Sequence, residues 1–310
     1  MAGPVIECVP NFSEGRDPGK VQRIASAISS VPSVSLLAWE RDADHNRAVI
    51  TFAGPPEAVA EAALKGVEQA VKLIDLNLHA GEHPRIGAAD VVPFVPVRDV
   101  TMEECAEIAR SAGREIWNRV GVPVYFYEAA ALRADRRNLA DVRRGQFEGL
   151  RRGMESDPDR LPDVGGPSLH PTAGAVAVGA RKFLIAYNIN LASRDVRIAR
   201  RIAGKIRQSS GGFAHVKAMG VELRSRGMVQ VSMNLTEFED TPVDCVFEAV
   251  EAEAGRCGVA VASSEIVGLI PQRAFNLAPE FYRRAGNFTD EVILENRLKS
   301  PLSLDALESR

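Results

Sequence analysis

The side chains best suited to chemistry are concentrated in the segment HAGEHPR, residues 79–85, which holds two of the chain's five histidines. Imidazole gives and takes protons near neutral pH because its unperturbed pKa is about 6.5. Gly81 and Pro84 predict an irregular loop, since Pro84 disfavours the α conformation at His83. The segment therefore predicts general acid/base chemistry by one histidine, with the alternative that both histidines are structural residues at a helix end.

The same letters also match the H-x-x-E-H signature of zinc peptidases, whose two histidines must share one helix face. Gly81 inside the motif and Pro84 directly after it oppose a continuous helix. The sequence offers no identifiable third ligand. We therefore predict no metal site at this segment.

Three other segments are candidate binding regions, each with a purely structural alternative. Residues 42–47 lie between two predicted strands, where either Asx-type turns or a substrate rim explains their Asp and Asn side chains. Residues 9–15 follow the first strand, and loops at strand ends often carry ligands. The small residues of 166–181 allow a flat ligand to approach the backbone, or tight packing. Spacing leaves both interpretations open at each segment.

Composition excludes several classes of partner. The 310 residues carry a formal net charge of −3, which predicts no nucleic-acid binding. No apolar run reaches about eighteen residues, which predicts no membrane span. The four cysteines, Cys8, Cys105, Cys245 and Cys257, are dispersed without CxxC spacing, and the N-terminus lacks an apolar signal segment. We expect a reducing, cytoplasmic location.

The first half of the chain alternates strand and helix patterns. Apolar runs predict strands at 5–9, 34–39, 48–52, 91–97 and 122–127. Pro93 and Pro96 predict that the 91–97 strand lies at a sheet edge or is irregular. Helices are predicted over 17–30, 55–74 and 101–116, the last opened by a capping box of Thr101 and Glu104.

Seven arginines lie between Arg133 and Arg152, around a helical segment at 139–150. Charge runs of this kind usually face solvent. The pattern therefore predicts an exposed basic helix face. From 153 to 166 the composition shifts to Gly, Pro, Asp and Ser, which predicts a connection.

The second half has the element order βαββαβ. Strands are predicted at 183–189, 216–223 and 229–235, with a last one leading to Leu269. Ser193 is expected to cap the first helix and Thr241 to open the second. The turn at 225–227 predicts a hairpin. Because the first half repeats this order with an extra helix and strand, we predict an α/β (α+β) fold of two related lobes.

Five stretches taken together resemble the formiminotransferase domain family. They are VIECVPNFSEGR at 5–16, HNRAVITFAGPPE at 45–57, HAGEHPRIGAADVVPFVPVR at 79–98, PVYFYEAA at 123–130 and GARKFLIAYNINL at 179–191, and the resemblance extends through Ile270. It implies two ferredoxin-like βαββαβ-type subdomains with sheets packed face to face and helices outside. We expect an N-terminal subdomain at 1–180, a C-terminal one at 181–298 and a tail at 299–310.

The resemblance also implies an activity: transfer of the formimino group of N-formimino-L-glutamate to N5 of tetrahydrofolate, by a homodimer that requires no metal. It implies that His83 is the catalytic histidine and that Gly166 to Gly174 contacts the folate. That stretch is one residue shorter than the animal pattern and has Ala173 where that pattern has Trp. Because the sequence ends at Arg310, we expect a separate protein to carry out any deamination of the product.

The residue types fit this reaction. The departing glutamate amine must be protonated, because an amide anion is a prohibitive leaving group, and His83 can supply the proton. Glu82 or Arg85 is expected to hold the ring, and its other candidate partners are His79, Asp44 and His45. Cations for the substrate carboxylates are expected from Arg47, Arg85, Arg181 and Lys182.

The candidate substrate- and folate-binding residues come from all of these segments. They are Asn11, Ser13, Asp44, His45, Arg47, Glu82, Arg85, Gly166, Pro167, Ser168, Leu169, His170, Pro171, Thr172, Ala173, Gly174, Arg181, Asn188 and Asn190. Two other functions remain open: formyl exchange between 5-formyltetrahydrofolate and glutamate, and folate binding without turnover.

Overall fold

The computed structural model describes residues 3–154 and 156–302. They divide into two compact units. Unit 1 is the described part of Met1–Arg181 together with Pro301 and Leu302, and unit 2 is Lys182–Ser300. Each unit combines one β-sheet with helices, as the sequence predicts.

Unit 1 is built on a seven-stranded sheet. Its strands are β1 (Val5–Cys8), β2 (Asn11–Phe12), β3 (Ser35–Asp42), β4 (Arg47–Gly54), β5 (Ala89–Arg98), β6 (Val124–Glu128) and β7 (Val176–Ala180). Its helices are α1 (Pro18–Ser29), α2 (Pro56–Leu73), α3 (Met102–Val120), α4 (Leu139–Val142) and α5 (Gln146–Met154).

The strand order of unit 1 contains the predicted βαββαβ motif. Both β1 and β2 pair with β4 on one side and β5 on the other, so they share one position in the sheet. The order is then β3, β4, β1 with β2, and β5, all antiparallel neighbours. Two parallel strands, β7 and β6, extend the sheet beyond β5. Strand β6, which follows α3, is the predicted additional strand, and β7 is a further strand that the sequence did not predict.

Helices cover both faces of the unit 1 sheet. One face packs against α1, α2 and α3 in a single core that includes Phe12, Phe52 and Phe94, all fully buried. At the end formed by β5, β7 and β6, alternate residues point to the other face. There Tyr125 and Tyr127 pack with α4 and α5. This second layer brings α5 to the end of the sheet that holds the histidine segment.

Unit 2 has the predicted order without additions before its C-terminal helices. It consists of β8 (Ile185–Leu191), α6 (Val196–Ile206), β9 (Val216–Leu223), β10 (Met228–Leu235), α7 (Val243–Arg256) and β11 (Val261–Val267). The helices α8 (Gln272–Leu277), α9 (Pro279–Tyr282) and α10 (Leu294–Lys299) follow. The sheet order β11, β8, β10, β9 is entirely antiparallel, and the β9–β10 hairpin is confirmed.

Several local predictions are confirmed or corrected. Asp17 caps α1, and Thr101 and Glu104 form the capping box of α3. The prediction that this strand lies at a sheet edge or is irregular is confirmed in its second form, because β5 is hydrogen-bonded on both sides and its register with β1 shifts opposite Pro96. Asp195, not Ser193, caps α6, since its carboxylate accepts from the amide of Arg197.

Three sequence interpretations differ from the structure after β6 and in the tail. The helix predicted over 139–150 is broken into α4 and α5, with Gly145 at φ 81° between them. Strand β7 lies in the small-residue stretch 166–181, for which the sequence predicted ligand approach or tight packing but no strand. Of the expected tail, Leu302 packs on the unit 1 core, and residues 303–310 lie outside the described part. No helix among the described residues is long and apolar enough to cross a bilayer.

Candidate active site

The histidine segment lies in a non-helical loop between α2 and β5, as Gly81 and Pro84 predict. Backbone hydrogen bonds attach this loop to the small-residue stretch: Leu76 donates to Thr172 (2.8 Å) and Ala88 donates to Ala173 (2.9 Å). Two of the predicted segments are therefore neighbours. The helix that a zinc peptidase motif requires does not form here.

Asn46 connects the loop to two other segments. Its side-chain oxygen accepts from the amide of Gly15 (3.0 Å), and its side-chain nitrogen donates to the carbonyl of Ala80 (3.0 Å). Its backbone carbonyl accepts from Nε2 of His79 (2.9 Å). Asn46 has a φ of 48°, a conformation that asparagine tolerates better than most residues. One side chain thus brings three of the four sequence segments together.

Gly81 is required where the loop crosses the turn between β3 and β4. A Cβ atom at this position would collide with the carbonyl oxygen of His45. The backbones can approach this closely because glycine has no side chain. Gly81 therefore lets the loop lie against this turn two residues before His83.

One ring nitrogen of His83 contacts a guanidinium. Nε2 of His83 lies 2.6 Å from Nη1 of Arg47, the first residue of β4. A guanidinium has donors and no acceptor, so Nε2 must present its lone pair. The ring also forms a hydrogen bond with the backbone of Pro84, which has a carbonyl but no N–H. The neutral ring therefore carries its proton on Nδ1.

The environment of His83 favours this neutral form. Burial lowers the pKa of His83 well below its ordinary value, and the charges of Arg47 and Arg143 and the nearby His45 lower it further. The ring centroids of His45 and His83 are 6.1 Å apart. At neutral pH the imidazole of His83 is a proton acceptor.

Two cations face the imidazole from different elements. Arg143, which follows α4, forms an ion pair with the buried carboxylate of Asp90 in β5. The other oxygen of Asp90 accepts from the amide of Ile86 (2.7 Å), so the carboxylate also fixes the end of the loop. Burial and the charge of Arg143 lower the pKa of Arg47 to about 10, which leaves Arg47 protonated near neutral pH. The site is therefore suited to bind carboxylates.

Arg85 supports the loop rather than the His83 ring. Its guanidinium binds Glu148 of α5 through both terminal nitrogens, at 2.7 and 2.9 Å, and its Nε donates to Nδ1 of His79 (3.2 Å). This fork lowers the pKa of Glu148 to about 2. The expectation that Arg85 holds the catalytic ring differs from the structure, in which Arg47 contacts that ring.

Asn11, Ser13, Asp44 and Glu82 make structural contacts around the loop. Asn11 donates to the carbonyl of Val9 (3.1 Å), and Ser13 Oγ donates to the carbonyl of Gly87 (2.7 Å). The amide of Glu82 donates to the carbonyl of Asp44 (3.2 Å). Ser13 and Asp44 therefore bond the loop or its end directly, whereas Asn11 bonds the turn between β1 and β2.

The stretch 166–174 forms a turn that borders a cavity. His170 Nδ1 accepts from the amides of Ala173 (3.0 Å) and Thr172 (3.3 Å), and Gly174 closes the turn at φ 72°. The cavity has a volume of about 350 Å³ and is lined by Asn77, Arg151, Pro167, Ser168, Leu169 and Pro171. Four residues of the predicted folate stretch thus contribute to one concave surface.

The remaining predicted residues lie elsewhere. Arg181 donates its amide to Phe94 (3.0 Å) at the end of unit 1. In unit 2, Lys182 forms an ion pair with Glu237 (2.5 Å). Asn188 and Asn190 of β8 are buried in a network of polar side chains: Asn188 donates to Glu265 (3.2 Å), and Asn190 accepts from Gln230 (3.0 Å).

Sequence reasoning missed the acidic and basic residues that complete the site. Arg143 was assigned to a solvated basic face, and this is wrong for Arg143 and also for Arg136, which is 5% exposed and bonded to Asp163. Glu148 carried no signal beyond its charge. Asp90 could have been suspected, since an acidic residue at the start of an otherwise apolar strand needs a buried partner.

The fold and the site define the class of this protein. The family model "Formiminotransferase domain, N-terminal subdomain" matches residues 5–181, and the model "Formiminotransferase domain" matches residues 186–307. Together they span both units, so the chain belongs to the formiminotransferase domain family, as the resemblance predicts.

Curated relatives agree over nearly the whole chain. It is 44% identical to glutamate formimidoyltransferase of Thermoplasma acidophilum, over 97% of this chain and 99% of the relative. It is equally identical to glutamate formimidoyltransferase of Streptococcus pyogenes, over 95% and 98%. It is 42% identical to formimidoyltransferase-cyclodeaminase of Gallus gallus over 98% of this chain and 57% of that longer protein.

Proposed function

We propose that this protein is a glutamate formimidoyltransferase, which transfers the formimino group of N-formimino-L-glutamate to N5 of tetrahydrofolate. The observation that carries the proposal is the neutral His83 imidazole, whose Nε2 lone pair lies against the guanidinium of Arg47. A proton acceptor beside a carboxylate-binding cation is what this reaction needs. The names and full-length similarity of the two microbial relatives support the same activity.

The reaction moves one proton between two nitrogens. N5 of the folate attacks the carbon of the protonated formimino group, the C=N π electrons become a lone pair on its NH2 nitrogen, and the tetrahedral adduct carries the positive charge on N5. His83 accepts the proton from N5, and the imidazolium then gives it to the nitrogen of glutamate. The bond between that nitrogen and the formimino carbon breaks, the C=N bond reforms, and 5-formimidoyltetrahydrofolate and L-glutamate result. Such general acid/base catalysis contributes about 10²–10⁴-fold to the rate.

Arg47 connects substrate binding to this proton transfer. In the structure its guanidinium blocks the lone pair that His83 must use. A carboxylate of formiminoglutamate binds a guanidinium more strongly than a neutral ring nitrogen does, because the hydrogen bonds are charge-assisted. Binding therefore draws Arg47 away from Nε2 and screens its charge. The pKa of His83 then rises from its lowered value towards the operating pH, where proton transfer in both directions is efficient.

The other predicted residues have supporting roles in this proposal. His45, Asp44 and Glu82 form the rim beside His83, Ser13 braces the loop, Asn11 braces the turn between β1 and β2, and residues 166–174 contact the folate. Arg143 is a second cation for the donor's carboxylates. We propose Arg181, Asn188 and Asn190 as binding residues because of the family resemblance. We also propose a cytoplasmic homodimer without a required metal, and sedimentation and metal analysis of the active protein test these points.

The decisive experiment mixes the purified protein with N-formimino-L-glutamate and tetrahydrofolate and follows both products by mass spectrometry. Formation of 5-formimidoyltetrahydrofolate with one equivalent of glutamate is expected. A parallel reaction with 5-formyltetrahydrofolate and glutamate detects formyl exchange. Folate binding without turnover of either mixture would contradict the proposed function.

A further inference from the structure

The cavity beside residues 166–174 contains one cation with unused hydrogen-bonding capacity. Nη2 of Arg151 donates to the side-chain oxygen of Asn77 (2.9 Å) and to the carbonyl of Pro171 (3.3 Å). A guanidinium has five N–H donors. No acceptor among the described residues takes the donors on Nη1 and Nε of Arg151. The two bonds of Nη2 hold the guanidinium of Arg151 in place, and three of its five donors remain available.

The charge of Arg151 is also uncompensated by an ion pair within the described part of the chain. The nearest carboxylate along α5 is Glu148, and both of its oxygens are bound by Arg85. Other arginines of the same segment have carboxylate partners: Arg133 with Asp135 and Asp159, Arg143 with Asp90, and Arg144 with Asp141. Arg151 therefore differs from these neighbours in offering its charge to the cavity.

Stacking holds Arg151 in this orientation. Its guanidinium lies over the ring of Phe147, 4.3 Å from the centroid. The guanidinium of Arg85 lies 6.0 Å from the same centroid, and the amide of Phe147 donates to the carbonyl of Arg85 (2.9 Å). Arg85 is two residues from His83. The ring of Phe147 thus connects Arg151, which lines the cavity, to Arg85 of the histidine loop.

We propose that this cavity binds the glutamyl end of the folate cosubstrate and that Arg151 binds a carboxylate of that glutamate. The inference rests on the proposed function, because it assigns one part of its cosubstrate to one subsite. Tetrahydrofolate joins a pterin, which must reach His83, to an aromatic linker and a terminal glutamate with two carboxylates. A cavity of about 350 Å³ close to the catalytic loop has room for that end. The available donors of Arg151 match a carboxylate in bidentate geometry.

Arg151 is then a specificity residue that distinguishes folates with a glutamyl end from pteroates without one. The test compares tetrahydrofolate with tetrahydropteroate, which lacks the glutamate, as acceptors of the formimino group. We expect Arg151→Gln to raise KM for tetrahydrofolate about 10-fold, a typical loss for one charge-assisted contact. The kcat should stay within about 2-fold and KM for tetrahydropteroate should not change. Arg151→Lys should give an intermediate KM for tetrahydrofolate, since it keeps the charge without the fork.

Arg152→Gln is the matched control, because Arg152 is the exposed next residue of α5 and does not line the cavity. It should leave both KM values unchanged. If Arg151→Gln raises both KM values equally, or neither, the subsite assignment is wrong while the activity stands. Equilibrium binding of the two ligands provides the second readout. If the protein binds them with the expected discrimination but makes no product, the proposed function fails and the subsite stands.

Discussion

Nη1 of Arg47 lies 2.6 Å from Nε2 of His83, and this contact fixes which tautomer the imidazole adopts. The guanidinium accepts no proton and offers one, so the ring nitrogen opposite must be deprotonated. The pair therefore holds a base in the state in which it can begin the reaction. In the proposed reaction, a carboxylate of the substrate separates the two side chains.

Substituting Arg47→Gln should raise the pKa of His83 in the free protein, because a positive charge beside the ring is removed. The wild-type pKa of His83 lies well below 6.5. The kcat/KM of the wild-type protein should accordingly remain level as the pH falls through 6.5. It should decline at a lower pH, where His83 of the free enzyme becomes protonated. In Arg47→Gln the decline should begin at higher pH, and KM for formiminoglutamate should rise. Profiles of kcat/KM against pH test this.

The control for that experiment is Arg98→Gln, since Arg98 lies at the end of β5 and bonds the backbone of Gly3. Its profile should coincide with that of the wild type. An acid limb that stays in place in Arg47→Gln would mean that Arg47 does not set the protonation state of His83.

The loop of this site could be predicted from sequence, but the partner of His83 could not. Gly81 and Pro84 act on the backbone next to them, so their effect is visible in local sequence. Arg47 contacts His83 because β4 begins beside the histidine loop. No local sequence pattern shows that residues 47 and 83 are close in space. The sequence consequently suggested Glu82 or Arg85 as the ring partner, with His79, Asp44 and His45 as further candidates, and it gave Arg47 only a role in binding carboxylates.

The fold could be predicted wherever the spacing of apolar residues determines the element. The prediction failed where an element consists of charged or very small residues. Arg136 and Arg143 are buried because each has a carboxylate partner far along the chain. A run of arginines gives no indication of such partners. Strand β7 consists of alanine, valine and glycine and is buried on both faces, so its sequence lacks the alternation that identifies a half-exposed strand.

Replacing His83 by alanine should lower kcat by about 10²–10⁴-fold without lowering the affinity for tetrahydrofolate in proportion. His83 acts on the proton, whereas the cavity at 166–174 is expected to supply the binding. The measurement combines steady-state kinetics with equilibrium binding of tetrahydrofolate. His215→Gln is the control, since His215 lies in unit 2 near Asp240 and should change neither quantity. A His83→Ala variant with full kcat would exclude the proposed mechanism.

Substituting Asp90→Asn should lower the free energy of unfolding by about 3–5 kcal/mol, the usual cost of breaking a buried ion pair. Asp90 is 2% exposed and Arg143 has 13% of its side chain exposed. The variant leaves the guanidinium without its counter-charge. Urea titration followed by circular dichroism measures the loss as a lower midpoint at unchanged slope.

The double variant Asp90→Leu with Arg143→Met separates ion-pair loss from loss of packing. Apolar side chains of similar size leave no unpaired charge, so much of the stability should return. Activity should stay low in the double variant, because Arg143 is one of the two cations expected to bind the donor. If the double variant is as unstable as Asp90→Asn, removing the unpaired charge restores nothing, and the acceptor for the amide of Ile86 that leucine lacks outweighs the gain.

Placing a methyl group at residue 81 should reduce activity much more than stability. In Gly81→Ala the new Cβ would collide with the carbonyl oxygen of His45, so the loop must shift away from the turn. A displacement of about 1 Å at a catalytic group costs about 10²-fold in rate, and we expect a loss of kcat of that order. Gly204→Ala in α6 is the matched control, because its Cβ would meet open space and alanine favours the helix. That variant should keep full kcat and unfold at a slightly higher temperature, and a fully active Gly81→Ala protein would show that the close approach does not position His83.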